Sequence, residues 1–251
     1  MMERHRSGGP MSLTPRIAAH AYPLLESVPA SAGLALTSSL LDAWTFGQVG
    51  TFATVQSGNL LSVGYFAADG DAPRVVTAMA SILAFVLGAF VCSLYVLWCS
   101  RREEQYSRGV LLFEVSAIGI LVLLSSMTPL SSFALACAIS FVAGVQGNAF
   151  HRETGMLYGN IAVTSVVQMA ASLLGRAVGR GIFDDGERHL TPASAYLVVL
   201  MAFLLGAGVG FALDRIWASG SLVAAAATLV VIWLRAGKAG LVDPSQNNPT
   251  P

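Results

Sequence analysis

Eight long hydrophobic stretches follow one another along the chain after residue 30, with short polar turns between them. They lie at residues 31–50, 52–68, 75–99, 109–127, 130–150, 156–175, 193–213 and 217–235. A helix needs about 20 largely apolar residues to span the hydrocarbon core of a bilayer, because each residue rises about 1.5 Å. The pattern therefore predicts an all-α integral membrane protein.

Two of these stretches differ from simple membrane-spanning helices because polar residues and glycines interrupt them. The first, at residues 52–68, carries Gln56 and Asn59, and the second, at residues 156–175, carries Asn160. Each follows its predecessor with hardly any polar loop. Glycine and asparagine favour turns and helix starts. We therefore predict that these two stretches are broken or re-entrant segments.

The positions of arginine and lysine distinguish two topologies, because these residues accumulate in short cytoplasmic loops. If all eight stretches cross the membrane with the N-terminus inside, several arginines lie outside: Arg101, Arg102, Arg108, Arg152 and Arg215. If the two interrupted stretches enter and return on one side, only Arg74 and Arg215 of the 14 Lys and Arg residues lie outside. The second topology is predicted, with six transmembrane helices and both termini cytoplasmic.

An internal repeat supports the same division. The sequence DAW at residues 42–44 precedes GN at residues 58–59, and NAF at residues 148–150 precedes GN at residues 159–160. In each case an acidic or amide residue closes one span before the interrupted stretch begins. The repeat predicts two related halves.

The chain is predicted to form one membrane domain with two tails. Residues 1–30 are a cytoplasmic N-terminal tail, residues 31–236 a single transmembrane domain, and residues 237–251 a cytoplasmic C-terminal tail. The halves of the domain run from about 31–127 and 130–235. Each half has an odd number of crossings, so the second is inverted relative to the first. A 3+3 inverted repeat with discontinuous helices is typical of transporters.

Composition agrees with a membrane protein and argues against several functional classes. The chain is 55% hydrophobic and 11% charged, against roughly 25% charged residues in an average soluble domain. Its formal net charge of +0 predicts no nucleic-acid partner. The cysteines lie in apolar stretches without metal-ligand spacing, so we expect no metal and no cofactor. No catalytic motif appears in its required context, and the chain is not predicted to be an enzyme.

Asp42 is the first candidate for a functional residue, because it lies in the middle of an otherwise apolar stretch. An ionised carboxylate there costs about 2.5 to 3.5 kcal/mol on insertion scales. It is therefore expected to face the protein interior, to be protonated, or to hold a cation. The alternative is a structural carboxylate that caps or bonds to a neighbouring broken helix.

The two interruptions, if they face each other, predict a polar pocket near the membrane midplane. Backbone groups freed at a helix break are tolerated only where protein or water surrounds them. The residues of this tentative substrate or ion site are Asp42, Gln56, Asn59, Gln146, Asn148 and Asn160. The alternative is that these polar groups bond one another and only close a gap between helices.

Glu114 lies near the start of the fourth stretch, close to the predicted cytoplasmic face. We interpret it as a side chain that snorkels to the surface or pairs with Arg108.

Two pairs of glycines have the G-x-x-x-G spacing that lets membrane helices approach closely. They are Gly175 with Gly179 and Gly206 with Gly210. Both pairs are predicted to pack helices, and such glycines are compatible with a homo-oligomer.

Two long segments resemble the YoaK-like family of bacterial inner-membrane proteins, a family defined as a domain of unknown function. They are SLLDAWTFGQVGTFATVQSGNLLSVG at residues 39–64 and FVAGVQGNAFHRETGMLYGNIAVTS at residues 141–165. The resemblance covers about residues 31–235, and the sequence departs from the usual pattern at Ser57 and Gly147. It implies an inner-membrane location and a small-molecule transport role, with no catalytic residues to carry over.

Our leading hypothesis is a transporter of a small solute or ion, with Asp42 as its proton or cation site. The main alternative is a non-transporting membrane protein that assembles a complex or binds a partner, and a lipid-modifying enzyme is a third. A transporter requires a water-accessible cavity that reaches Asp42. An assembly protein should have a closed interior and an exposed groove of small residues.

Overall fold

The computed structural model describes residues 28–102, 104, 106–127, 130–149, 163–182 and 186–236. In this part of the chain eight α-helices follow one another, and no residue lies in a β-strand. The helices are α1 (Val28–Val49), α2 (Gln56–Asp69), α3 (Ala72–Arg101), α4 (Ser107–Met127), α5 (Ser132–Ala149), α6 (Val163–Val178), α7 (Leu190–Ile216) and α8 (Gly220–Ala236). The predicted all-α class is confirmed.

Four of these helices, α3, α4, α5 and α7, are long and apolar enough to cross a membrane. Their outward faces carry large hydrophobic side chains, such as Leu83 and Phe90 on α3, Leu123 on α4 and Leu204 on α7. Exposed apolar surface of this extent is stable only where lipid covers it. The chain therefore has the character of a multi-pass membrane protein.

Helices α2, α6 and α8 are the shortest in the described chain, with 14, 16 and 17 residues. At 1.5 Å per residue they measure roughly 21, 24 and 26 Å, less than the hydrocarbon core of about 30 Å. Helix α2 begins at Gln56, where the sequence is interrupted. Helix α6 is described from Val163 onward, and Asn160, with the rest of the second predicted interruption, lies outside the described residues.

Helices α3 and α5 run parallel to each other, and so do α1 and α7. The hydroxyl groups of Ser81 on α3 and Ser140 on α5 are 2.9 Å apart. Twelve residues further along α3, Ser93 donates a hydrogen bond to Asn148, which lies eight residues further along α5. In the second pair, Gly206 and Gly210 of α7 meet successive turns of α1.

Helix α8 runs antiparallel to α1. The indole N–H of Trp44, near the end of α1, donates to the carbonyl oxygen of Ala218 at 2.8 Å, just before α8 begins. Near the start of α1, Gly33 lies against the side chain of Ile232 in the last part of α8.

Helix α4 also runs antiparallel to α8. The hydroxyl groups of Ser125 near the end of α4 and of Ser219 just before α8 are 3.2 Å apart. At the other end, the guanidinium of Arg108 lies over the ring of Trp233, 5.3 Å from its centroid. Helices α1 and α4 therefore share one direction.

Helix α5 runs antiparallel to α4. The Tyr106 hydroxyl, just before α4, donates to the carbonyl of Ala149 at the end of α5. The rings of Phe113 and Phe141 meet edge to face between these ends. Combining the contacts, α1, α4 and α7 point one way, and α3, α5 and α8 point the other.

Glycines bring the two parallel helix pairs into backbone contact. A Cβ atom at Gly88 of α3 would overlap the carbonyl oxygen of Phe141 on α5. A Cβ atom at Gly206 of α7 would stand 2.6 Å from the carbonyl oxygen of Leu36 on α1, and one at Gly210 would stand 2.6 Å from the Cβ of Ala43. Helix α7 thus packs on α1 through the glycine pair that its spacing suggested.

The other glycine pair behaves differently. No described atom lies within 4 Å of a Cβ built at Gly175 or Gly179. The described residues therefore show no helix packed against this pair, and the prediction that it packs helices stays a prediction.

Candidate functional site

After α1 the chain turns at Gly50, whose φ is +71°, and folds back against the helix it has just left. The carboxyl group of Asp42 accepts the Thr54 N–H at 2.8 Å and the Thr54 hydroxyl at 2.5 Å. The hydroxyl of Thr45 accepts the N–H of Ala53 at 3.1 Å. Asp42 therefore accepts hydrogen bonds from the segment that leads into α2, twelve residues later in the chain.

Asn59 binds the same segment from the other side. Its side-chain oxygen accepts the N–H of Phe52 at 3.0 Å, and its amide donates to the carbonyl of Phe52 at 2.6 Å and to the side-chain oxygen of Gln56 at 2.9 Å. The Gln56 amide in turn donates to the carbonyl of Ala53 at 2.7 Å. Together these groups satisfy a stretch of non-helical backbone that is buried in the bundle.

Serines connect this network to the neighbouring helices. The amide of Asn59 also donates to the hydroxyl of Ser81 on α3 at 3.1 Å, and Ser81 contacts Ser140 on α5. Ser81 and Ser140 are both buried. The network thus fixes the start of α2 against α3 and α5.

Gln146 and Asn148 contact different helices. The Gln146 amide donates to the carbonyl of Leu34 at 3.2 Å and to the hydroxyl of Ser38 at 3.0 Å, both on α1. Its side-chain oxygen is buried without a hydrogen-bond partner among the described residues. Asn148 instead accepts a hydrogen bond from Ser93 of α3.

The structure thus brings together only part of the predicted pocket. Asp42, Gln56 and Asn59 meet around residues 51–55, whereas Gln146 packs on α1 one to two turns before Asp42. Asp42 is only 5% exposed and Asn59 is fully buried. Their hydrogen bonds hold a backbone segment in place, which is the arrangement described by the gap-closing alternative.

Asp214, near the end of α7, repeats the arrangement of Asp42. Its two carboxyl oxygens accept the N–H and the hydroxyl of Ser221, both at 2.8 Å, in the first turn of α8. Carboxylates favour helix N-termini because the free N–H groups there need acceptors. Both aspartates therefore help to position the helix that follows.

Glu114 is a buried carboxyl group of a different kind. Its exposed fraction is 0%, and neither of its carboxyl oxygens has a hydrogen-bond partner among the described residues. Arg108 lies over Trp233 instead. The interpretation of Glu114 as a snorkelling residue or a partner of Arg108 is therefore wrong. The sequence held a signal, because Leu111 and Ile118 place Glu114 on an apolar helix face.

A cavity of about 290 Å³ lies between α3, α4 and α5, lined on α4 by residues that shortly precede Glu114 but not by Glu114 itself. Val110 and Phe113 of α4 line it together with Cys92 of α3, and most of its wall is apolar. Cys92 is itself buried. A buried thiol thus lines an apolar space that adjoins the turn of α4 before Glu114.

Comparison with known proteins returns one family. The family model described as "Protein of unknown function (DUF1275)" matches residues 30–234. No curated protein and no solved structure matches the chain.

Proposed function

We propose that this chain, which belongs to the DUF1275 family, is a six-crossing inner-membrane transporter of a small solute or ion in which α2 and α6 are re-entrant. Membership confirms the resemblance to YoaK-like proteins, which belong to the same family. The family has no known function, so the proposal depends on the architecture of the chain.

Helix direction supports the six crossings. Helices α1 and α3 run in opposite directions although α2 lies between them, so residues 50–71 enter and return on one side of the bundle. Helices α5 and α7 are opposed in the same way, with α6 between them. This topology leaves only Arg74 and Arg215 opposite the side that holds the other arginines and lysines, which is the cytoplasmic side by the positive-inside rule.

The single observation that carries the proposal is that helix packing repeats between the two halves. The parallel helices α1 and α7 pack through glycine, and so do the parallel helices α3 and α5. Helix α2 packs on α3, and α6 packs on α7. Helix α1 packs on α8, and α5 packs on α4. If α1, α2, α3 and α4 are matched in that order to α5, α6, α7 and α8, each packed pair corresponds to another packed pair. Inverted repeats with broken helices are characteristic of secondary transporters, whose halves rock against each other.

Uptake into proteoliposomes tests the proposal without knowing the solute. Vesicles that contain the purified chain are incubated with a mixture of amino acids, amines, carboxylates, sugars and alkali-metal salts, and their contents are measured by mass and elemental spectrometry. We expect at least one solute to accumulate relative to empty vesicles. Contents equal to those of empty vesicles for every solute would overturn the proposal.

A matched pair of glycine variants provides the control. Gly206→Leu forces α7 away from α1, where the two halves meet, and should abolish uptake. Gly208 lies on the same helix with no described atom within 4 Å of its Cβ position, so Gly208→Leu should retain uptake.

A second candidate function, a non-transporting protein that assembles with itself or a partner, is favoured by the outer face of α6. Thr164, Gln168, Ser172 and Gly175 are all exposed along this face. Polar and small side chains are unfavourable against lipid and typical of helix interfaces in membranes. Oxidative cross-linking of Ser172→Cys in membranes should yield dimers if a second copy covers α6. Leu87→Cys on the exposed face of α3 is the control, and cross-linking no stronger than in this control would exclude that interface.

A further inference from the structure

We infer that Glu114 is the proton-binding site of this transporter, carrying a proton in the conformation described and releasing it when another conformation admits water. The inference rests on the proposed transport function and names the coupling ion as a proton. It replaces Asp42, the first candidate from the sequence, with a carboxyl group on a different helix.

The surroundings of Glu114 favour the neutral acid. The side chain lies on the buried face of α4 between Leu111 and Ile118, both 0% exposed. An ionised carboxylate without water or a hydrogen-bond donor is strongly disfavoured, whereas a neutral carboxylic acid is tolerated. The site therefore retains a proton as long as it remains closed.

No described cation compensates a charge at this position. Helix α4 packs against α5, whose one titratable side chain is Cys137, and against α8, whose charged side chain is Arg235 in the last turn. From α3, Cys92 and Tyr95 line the cavity beside this part of α4. Arg108 of α4 itself stacks on an indole ring of α8. A proton is thus the simplest ion that neutralises Glu114.

Glu114 also has no structural task that would explain it. Asp42 and Asp214 each bind a backbone N–H and a hydroxyl at the start of another segment. Glu114 binds no described group and lies within its own helix, away from the first turn. Ionisable groups kept inside membrane proteins without a structural partner commonly carry ions or protons.

The adjoining cavity offers a route by which the proton could leave. Val110, which lines it, lies one turn before Glu114 on the same face of α4, and Phe113, which also lines it, directly precedes Glu114 in the sequence. A small movement of α4 relative to α3 would bring the carboxyl group into this space. Once hydrated, the group can ionise and transfer its proton to water.

Infrared spectroscopy tests the protonation directly. The full chain in lipid nanodiscs at neutral pH should show the C=O stretching band of a neutral carboxylic acid. The band should be lost in Glu114→Gln, should shift in frequency in Glu114→Asp, and should persist in Asp69→Asn, which changes an exposed carboxylate. A band that survives Glu114→Gln, or that disappears instead in Asp42→Asn, overturns the inference.

Proton movement separates this inference from the proposed function. Proteoliposomes with a pH-sensitive dye inside are given a potassium diffusion potential and the solute mixture. We expect internal acidification with the wild-type chain and its loss in Glu114→Gln. Acidification that persists in Glu114→Gln overturns the role of Glu114 alone. A Glu114-dependent infrared band in a wild-type chain that moves neither solute nor protons overturns the transport function.

Discussion

Asp42 and Glu114 are both buried acidic residues in apolar helices, yet their surroundings are opposite. Asp42 accepts two hydrogen bonds from Thr54, whereas neither carboxyl oxygen of Glu114 has a partner among the described residues. The Asp42 carboxyl group holds a non-helical segment against α1, and the Glu114 carboxyl group binds no group in the described part of the chain. Burial alone therefore does not identify a functional acid, and the hydrogen bonds around the group distinguish the two roles.

The comparison extends to the two sides of the bundle. Around Asp42, amides and hydroxyls satisfy the backbone that precedes α2, so polar groups there are needed for folding. Around Glu114, Leu111 and Ile118 on the same face of α4 are apolar. Substitutions should accordingly change stability at the first position and proton binding at the second.

The largest effect is expected from Asp42→Ala. It leaves the N–H and the hydroxyl of Thr54 buried without an acceptor, which should lower the free energy of unfolding by about 3 kcal/mol. Unfolding of the purified chain in mixed micelles, followed by circular dichroism, measures this change. A loss as small as that of an exposed control, Asp69→Asn, would contradict the structural role of Asp42.

A smaller effect is expected from Thr54→Val, which sharpens the same comparison. It removes the hydroxyl donor but keeps the N–H bond to Asp42, so we expect a loss of about 1 kcal/mol. In the Asp42→Ala background the same substitution should cost less, since the bond is already absent. Full additivity in this double-mutant cycle would show that the two side chains are not coupled.

The smallest change in the free energy of unfolding, and one of opposite sign, is expected from Glu114→Leu. Replacing an unpartnered buried polar group by an apolar one of similar size should stabilise the chain by about 0.5 kcal/mol while abolishing proton movement. The same micelle unfolding assay and the dye-filled vesicles measure both properties. Marked destabilisation would mean that Glu114 has a structural partner and would break the contrast with Asp42.

Features that depend on local sequence could be predicted, and features that depend on neighbouring helices could not. The hydrophobic stretches gave the helices, and the polar residues near Asn59 marked the interruption before α2, because both are properties of short segments. Glycine spacing was the same at Gly175 and at Gly206, but within the described residues only Gly206 meets another helix. Likewise, the sequence places Glu114 on an apolar face without showing that no described cation lies opposite it.

The position of Asp42 in the site was only partly predictable for the same reason. Its partner, Thr54, lies twelve residues later in a segment that must fold back before the two can meet. A structural carboxylate of this kind and a carboxylate that binds a cation produce the same sequence pattern, a single acidic residue within an apolar stretch. Only the direction of the chain after Gly50 distinguishes them.

Re-entry of α2 and α6 is the central claim, and cysteine accessibility tests it most directly. Arg101→Cys and Arg188→Cys are introduced singly into a chain without its native cysteines and labelled in intact cells with a membrane-impermeant maleimide. Both positions should be protected in intact cells and labelled after lysis, because the proposed topology puts both on the cytoplasmic side. Labelling of one position but not the other in intact cells would place them on opposite sides and contradict the account.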